Sequence, residues 1–253
     1  MIVVLLLIGL AGLAAGSFAS VVAHRVPRGE SIVGPRSRCP DCGATIAAYD
    51  NIPLVSWLWL RGRCRDCGER ISVRYPAIEV ALAGLYVATF LVFDDDAAEL
   101  ALGLVFVTTL AAITLTDLEL RVIPNRILIA AMLIGIAIVA PTDPGSLPER
   151  AIATAAAGGA LLLVALAYPR GMGMGDVKLA GLMGFFLIGA VVPALLIGFA
   201  AGALVGVVLI ARHGAAARKR AIPFGPFLAL GGVIGLLAGN ELTDWYLDAF
   251  VRG

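Results

Sequence analysis

Long apolar runs, separated by short polar segments, follow one another along nearly the whole chain. A helix needs about 20 apolar residues to cross the hydrocarbon core of a bilayer. The runs that meet or approach this length are Ile2–Val22, Pro76–Phe93, Leu100–Thr116, Ile127–Ala140, Ala151–Tyr168, Val177–Ala190, Val191–Ala211 and Ile222–Gly239. The pattern predicts an all-α polytopic membrane protein with about eight transmembrane helices, and seven is the main alternative.

Three local features bear on this count. The apolar stretch from Val177 to Ala211 is too long for one pass, so we expect a tight turn at Gly189–Pro193. The run Ile127–Ala140 is short, and we expect its helix to begin nearer Pro124 because proline is tolerated in a first helical turn. The first run lacks a basic start and is long enough to span, which favours a retained helix over a signal peptide.

The composition agrees with a membrane environment. Hydrophobic residues make up 60% of the chain and charged residues 15%, and the mean hydropathy is +0.96. A soluble domain could not cover its surface at that composition, so lipid surrounds most of the chain. The net charge of +1 favours no interaction with nucleic acid, and we expect none.

The basic residues predict the orientation, because they gather on the cytoplasmic side of membrane proteins. With eight spans, 17 of the 19 lysines and arginines fall on one side, and only Arg150 and Arg252 fall on the other. The 17 are Arg25, Arg28, Arg36, Arg38, Arg61, Arg63, Arg65, Arg70, Arg74, Arg121, Arg126, Arg170, Lys178, Arg212, Arg218, Lys219 and Arg220. This asymmetry supports eight spans and predicts that both termini lie outside the cytoplasm.

Two C-x2-C motifs, each of which we call a hook, lie in the arginine-rich loop after the first span. Their cysteines are Cys39, Cys42, Cys64 and Cys67. Four thiolates at this spacing predict a closed, structural zinc site, with iron as an alternative metal. Gly43 and Gly68 follow the hooks directly, where a turn needs a residue tolerant of positive φ. Disulfides or free thiols are the other interpretation, and a reducing cytoplasm argues against disulfides.

These features divide the chain into three parts. Residues 1–22 form the first transmembrane helix, and residues 23–75 form a cytoplasmic zinc module. Residues 76–253 form a multi-helix membrane domain. We call residues 23–75 the cysteine module.

Two aspartates at membrane boundaries are the best candidates for chemistry. Asp117 directly follows the third predicted span, and Asp176 opens the sixth. Ionisable residues at membrane depth suggest function, and these two share one level, so they could face each other. Gly173 and Gly175, before Asp176, let the backbone pass close to a neighbour or a substrate. Glu119 competes with Asp117 as the acid.

Simpler interpretations exist for both aspartates. An aspartate at a helix end is often a cap or a solvated charge, and Asp176 would make a good N-cap. If Asp117 and Asp176 do pair, two adjacent carboxylates cannot both ionise and share a proton. One could then activate water while the other protonates a leaving group.

Several motifs in order along the chain carry a family resemblance. They are Gly16-Ser-Phe through Arg25-Val-Pro27, Pro35-Arg-Ser-Arg-Cys39-Pro-x-Cys42-Gly, Asn51-Ile-Pro-Leu-Val-Ser-Trp57, Arg61-Gly-Arg-Cys64, Ile71-Ser-x-Arg-Tyr-Pro76-x-x-Glu79, Asp117 with Ile123-Pro-Asn125, Gly171-Met-Gly-Met-Gly-Asp176-Val-Lys and Ile222-Pro-Phe-Gly-Pro-Phe-Leu-Ala229. Together they resemble the type IV prepilin peptidases, the bifunctional leader peptidase/N-methyltransferases of bacterial pilus and type II secretion systems.

The resemblance implies that Asp117 and Asp176 are the catalytic acids of an aspartic endopeptidase in the bacterial inner membrane. Its substrates would be prepilins and pseudopilins, cleaved after the glycine of a basic leader at the cytoplasmic face. Relatives with the four-cysteine module also methylate the new N-terminus with S-adenosylmethionine, so that activity is expected here. The resemblance implies that residues 23–75 are the methyltransferase part and that residues 76–253 are the aspartic peptidase domain. No residue is assigned to binding the leader or the methyl donor.

Two alternatives stay open at this point. The chain could be a peptidase only, with a zinc module that positions substrate. It could also be a non-enzymatic scaffold or transporter whose aspartates relay ions, although that function needs acids staggered across the bilayer.

Overall fold

The computed structural model describes residues 1–169, 171–213 and 223–250, and within them the secondary structure is helical, without a strand. The α-helices in these ranges are α1 Ile2–Arg25, α2 Val55–Trp59, α3 Arg74–Val92, α4 Ala97–Leu120, α5 Asn125–Thr142, α6 Leu147–Ala167, α7 Met174–Leu187, α8 Val191–His213 and α9 Gly225–Phe250. Ile222 and the basic residues Arg170, Arg218, Lys219, Arg220 and Arg252 lie outside the described residues. The all-α prediction is confirmed.

Seven segments of the described chain are long and apolar enough to cross a membrane. The longest, Met174–His213, has 40 residues. A straight helix of that length would measure about 60 Å, twice the thickness of the hydrocarbon core. The chain instead breaks at the 3₁₀ turn Ile188–Ala190, where Ile188 has φ 50° and ψ −122°. The segment therefore contains two helices, α7 and α8.

Helix α8 returns along α7 after this turn. Leu195 and Phe199 of α8 pack against a buried cluster that contains Val177 and Ala180 of α7. In a continuous helix, Phe199 would lie about 33 Å from Val177 at 1.5 Å per residue. The contact is possible only because the chain reverses, so the 40-residue segment holds two helices, of which α7 has 14 residues and α8 has 23. The seven membrane-length segments agree with the alternative count, and eight spans stays a prediction.

Helix α5 begins where the sequence predicts, whereas α9 is longer than its predicted apolar run. Helix α5 begins at Asn125 with Pro124 at its N-cap, as predicted from the short apolar run. Helix α9 continues to Phe250, well beyond the apolar run that ends at Gly239. Its last turns carry polar residues such as Glu241 and Asp244, which do not belong to an apolar run.

The chain forms two compact units, residues 1–95 and 96–253. The first unit holds α1, the cysteine module and α3. Helices α1 and α3 pack through small residues: a Cβ added at Gly12 would lie 2.6 Å from the Cα of Ala83, and one at Gly16 would lie 2.5 Å from the Cα of Glu79. Close backbone approach of this kind is typical of helix pairs in membranes. Helix α3 therefore groups with α1, whereas the sequence pattern divides the chain after residue 75.

In the second unit, α7 is the most buried helix. Val177 and every residue from Leu179 to Leu187 are buried. The ring of Phe186 stacks on that of Phe106 in α4, with the centroids 5.1 Å apart. Gly184 allows α6 to contact the α7 backbone closely. This packing holds α7 firmly, and α7 carries Asp176 in its first turn.

Arg150 anchors the far end of α7. Its side chain is 2% exposed, and its guanidinium donates to the carbonyl of Phe185 at 3.0 Å and to the carboxylate of Glu99. A third bond goes to Ser146 Oγ at 3.1 Å. A buried guanidinium is tolerated only when it is paired and hydrogen-bonded, as here.

We expect Arg150→Met to lower the free energy of unfolding by about 2 to 3 kcal/mol, since it leaves Glu99 and the Phe185 carbonyl without their donor. Thermal unfolding in detergent measures this loss. Glu149→Gln changes the neighbouring, exposed acid and should leave the melting temperature unaltered. Equal melting temperatures for Arg150→Met and the wild type would contradict the anchoring role.

Candidate active site and metal centre

Asp117 lies in the last turn of α4 and is only 6% exposed. Its Oδ2 accepts a hydrogen bond of 2.8 Å from the backbone N–H of Gly225, the first residue of α9. The carboxylate thus meets the amino end of another helix, where free N–H groups stabilise negative charge. The sequence shows Asp117 only at a helix C-terminus, because Gly225 is 108 residues away along the chain.

Asp176 is the third residue of α7 and is half-buried. Its Oδ2 accepts the backbone N–H of Gly173 at 3.2 Å, and Gly173 is the residue that caps the helix. Asp176 is therefore not the N-cap that its sequence position also allowed. A carboxylate in a first helical turn is in a favourable position for a negative charge.

The first turn of α7 packs against the loop that follows Asp117. A Cβ added at Gly175 would lie 2.9 Å from the Cβ of Ile123, so glycine permits this approach. Lys178 Nζ donates to Asn125 Oδ1 at 2.9 Å. These contacts place the helix end that carries Asp176 against the loop that follows Asp117. We call Asp117 and Asp176 the carboxylate pair.

Glu119, the competing acid, has a different environment. It is exposed, and no hydrogen bond within the described residues holds its side chain. Asp117 is buried and fixed by Gly225. Catalytic groups need a fixed geometry, so the structure favours Asp117.

We expect Gly225→Ala to slow the reaction at the carboxylate pair by about 10- to 100-fold without unfolding the protein, since misplacement by 1 Å costs this much in catalysis. The added Cβ would lie 2.8 Å from Asp117 Oδ2 and would displace the carboxylate. Gly159→Ala is a matched control, because its Cβ would meet nothing within 4 Å. Single-turnover kinetics measure the rate of the reaction at the carboxylate pair in Gly225→Ala, Gly159→Ala and the wild type. Wild-type rates in Gly225→Ala would contradict the role of this contact.

The four cysteines form a second site. Their Sγ atoms all lie within 4.8 Å of one another, and those of Cys39 and Cys67 are 3.8 Å apart. Zinc–sulfur bonds of about 2.3 Å in a tetrahedron separate the sulfurs by about 3.8 Å. All four cysteines are free thiols rather than disulfides. The donor set and its spacing therefore fit a closed tetrahedral metal site.

The two hooks have the same backbone form. The N–H of Gly43 donates to the Cys39 carbonyl at 3.0 Å, and the N–H of Gly68 donates to the Cys64 carbonyl at 3.0 Å. Their φ angles are 72° and 73°, in the left-handed region that favours glycine. The positive φ predicted for both glycines is confirmed. Each turn points two sulfurs toward a common centre.

Electrostatics at this site favour a bound cation. The backbone N–H of Cys42 lowers the pKa of the Cys39 thiol to about 7. Four thiolates this close repel one another, so they cannot all ionise without a positive ion between them.

A surface ion pair fastens the second hook to the rest of the cysteine module. Arg65 donates Nε and Nη2 to the two carboxylate oxygens of Asp50 at 2.7 and 2.6 Å. This bidentate hydrogen bond keeps the pKa of Asp50 below its usual value. Because the folded-state pKa is lowered, the contribution of the pair to stability is complete at neutral pH and is lost as the pH falls through that lowered pKa.

The protein combines a polytopic helical membrane fold, a pair of carboxylates at helix ends and a four-thiolate centre. This combination defines a narrow class of membrane enzymes. Two family profiles match the chain: the Bacterial Peptidase A24 N-terminal domain over residues 10–93 and the Type IV leader peptidase family over residues 104–210. The chain belongs to the type IV leader peptidase family.

Curated relatives match along most of the chain. A prepilin leader peptidase/N-methyltransferase of Aeromonas hydrophila is 35% identical over 279 residues, covering 97% of this chain and 94% of the relative. A protein of the same name from Bacillus subtilis (strain 168) is 34% identical over 240 residues, covering 93% and 95%. One from Myxococcus xanthus (strain DK1622) is 39% identical over 213 residues, covering 81% and 63%. No solved structure matches the chain significantly.

Proposed function

We propose that the chain is an aspartic endopeptidase that removes the leader of type IV prepilins and pseudopilins and then methylates the new N-terminus. The observation that carries the proposal is the packing of the first turns of α7, which hold Asp176, against the loop that follows Asp117. Each aspartate accepts a backbone N–H at a helix start. Family membership supports the same reaction. The two acids stand at neighbouring helix ends rather than along a path, which favours a peptidase over an ion-relaying transporter.

In this mechanism the carboxylate pair holds one proton. The ionised carboxylate takes a proton from water as the water oxygen attacks the carbonyl carbon of the leader glycine. The protonated carboxyl donates its proton toward the leaving amine nitrogen, and the C–N bond breaks as the tetrahedral intermediate collapses. The products are a free leader carboxylate and a new N-terminal amine. The Gly225 and Gly173 N–H groups hold the two aspartates in place throughout.

The cysteine module holds structural zinc in this proposal, with Cys39, Cys42, Cys64 and Cys67 as the ligands. The methyl donor is S-adenosylmethionine, which supplies an electrophilic methyl group when bound. The printed names of the relatives include N-methyltransferase, which supports this second activity.

We propose that the loop holding the cysteine module and the helix ends holding the carboxylate pair face the bacterial cytoplasm, and that leaders are cleaved there after glycine. The distribution of 17 basic residues supports this orientation. Arg150, one of the two exceptions, is neutralised by Glu99 and so carries little orienting charge.

Incubation of the purified protein in lipid with a model prepilin and S-adenosylmethionine tests the proposal. Mass spectrometry should find the leader released after its glycine and the mature chain heavier by one methyl group. A prepilin that is cleaved but not methylated would show that the protein acts as a peptidase only. Intact prepilin would favour a scaffold or transporter.

A further inference from the structure

The first unit contains a cavity of about 450 Å³ between α1 and the loops of the cysteine module. One wall is the face of α1 that carries Ser17, Phe18 and Arg25. The opposite wall comes from residues 32–37 and 46–53. Cavities of roughly 300 to 1,000 Å³ are typical of small-molecule sites.

Polar contacts fix both walls. Arg25 donates Nη1 to the Ser31 carbonyl at 2.9 Å and Nη2 to the Pro35 carbonyl at 2.6 Å, which ties the loop to α1. Glu79 of α3, only 7% exposed, accepts the N–H of Leu54 at 2.7 Å. These contacts tie the loops of the cysteine module to α1 and α3.

The lining combines the chemistries that one amphipathic ligand needs. Phe18 is half exposed and Val33 is 94% exposed, which offers apolar surface for an aromatic base. Arg36 lines the cavity and makes no hydrogen bond or ion pair to any residue described, so its guanidinium is available for a carboxylate. Asn51 and Ser37 add polar groups suited to ribose hydroxyls.

Three separate motifs converge on this cavity: Gly16-Ser-Phe, Pro35-Arg-Ser and Asn51-Ile-Pro. The three segments themselves contain neither a metal ligand nor a member of the carboxylate pair, although Pro35-Arg-Ser leads into Cys39. Their common feature is that they line the cavity.

We propose that this cavity is the binding site for S-adenosylmethionine, with Arg36 facing the methionine carboxylate and Phe18 the adenine. The inference rests on the proposed methyltransferase activity and names the cavity and the side chains that would hold the methyl donor. A cationic, partly apolar cavity at membrane level would also suit a phospholipid headgroup, and the experiment below separates the two.

The test is calorimetric binding of S-adenosylhomocysteine, the unreactive product, to the full chain in lipid nanodiscs. We expect micromolar affinity for the wild type. Arg36→Glu should weaken binding at least about 10-fold by reversing the charge facing the carboxylate. Ala48→Leu should also weaken it, because Ala48 lines the cavity and a larger side chain would fill it. Arg38→Glu makes the same charge change two residues away, outside the lining, and should bind as the wild type does.

Zinc content and prepilin cleavage are measured on the same preparations. Cleavage and one zinc per chain in every variant would show that only donor binding was lost. Wild-type affinity in both cavity variants would overturn the proposal, as would absence of binding to a wild type that methylates. Variants that change the amount of co-purified phospholipid while leaving the affinity for S-adenosylhomocysteine intact would identify a lipid site instead. Loss of cleavage in the wild type would contradict the proposed peptidase, not this site.

Discussion

Asp117→Asn and Asp176→Asn should each lower the rate of prepilin cleavage by at least about 10³-fold, the scale of loss when a member of a catalytic set is removed. Asparagine keeps the shape of the side chain and an oxygen that can accept the N–H of Gly225 or Gly173. The fold should therefore survive, while the ability to hold and transfer a proton is lost. Cleavage of a model prepilin in nanodiscs measures the effect.

Glu119→Gln is the matched control for this pair of variants. It removes an exposed carboxylate two residues from Asp117 and should cleave at the wild-type rate. A large loss in Glu119→Gln with normal activity in Asp117→Asn would transfer the role of acid from Asp117 to Glu119. Melting temperatures and zinc content of all three variants exclude misfolding as the cause.

Replacing Cys39 by serine should eliminate bound zinc and lower methylation of a pre-cleaved pilin by at least about 100-fold. In small modules of this kind, metal binding supplies about 10 to 16 kcal/mol that is also folding free energy. The cysteine module has two turns, a short helix and little apolar core of its own, so its loops should lose their structure with the metal. The walls of the cavity at residues 32–37 and 46–53 would be lost with them.

Cleavage by Cys39→Ser should stay within a few-fold of the wild type, since both members of the carboxylate pair belong to residues 96–253. Asp41→Asn, an exposed change inside the same hook, controls for local charge and should keep one zinc per chain. Metal content is read by elemental analysis. Full methylation after complete loss of zinc would contradict the structural role of the metal.

The sequence predicts the features that depend on local pattern. Apolar length identifies the helices, Pro124 locates the start of α5, and glycines after the hooks indicate positive φ. Each property is encoded within a few neighbouring residues. A match between pattern and structure is therefore expected at these positions.

Contacts between distant segments could not be predicted in the same way. The bond from Gly225 to Asp117 joins residues 108 positions apart, and Arg150 reaches Phe185 across 35 positions. An arginine in a polar loop reads as a solvent-exposed charge, yet Arg150 is buried at the end of α7. Such contacts depend on how the helices pack against one another, and no local periodicity of the sequence indicates that packing. The sequence shows the motif around Gly225, but it does not show that Asp117 is the hydrogen-bond partner of Gly225.

The central claim is that Asp117 and Asp176 act as one catalytic unit. The most direct measurement is single-turnover prepilin cleavage by Asp117→Asn, Asp176→Asn and the double variant. Substitutions of groups that act together have strongly non-additive effects on rate, so we expect the double variant to be no slower than either single variant. Losses that multiply in the double variant, or undiminished cleavage in either single variant, would show that the two carboxylates do not form one centre.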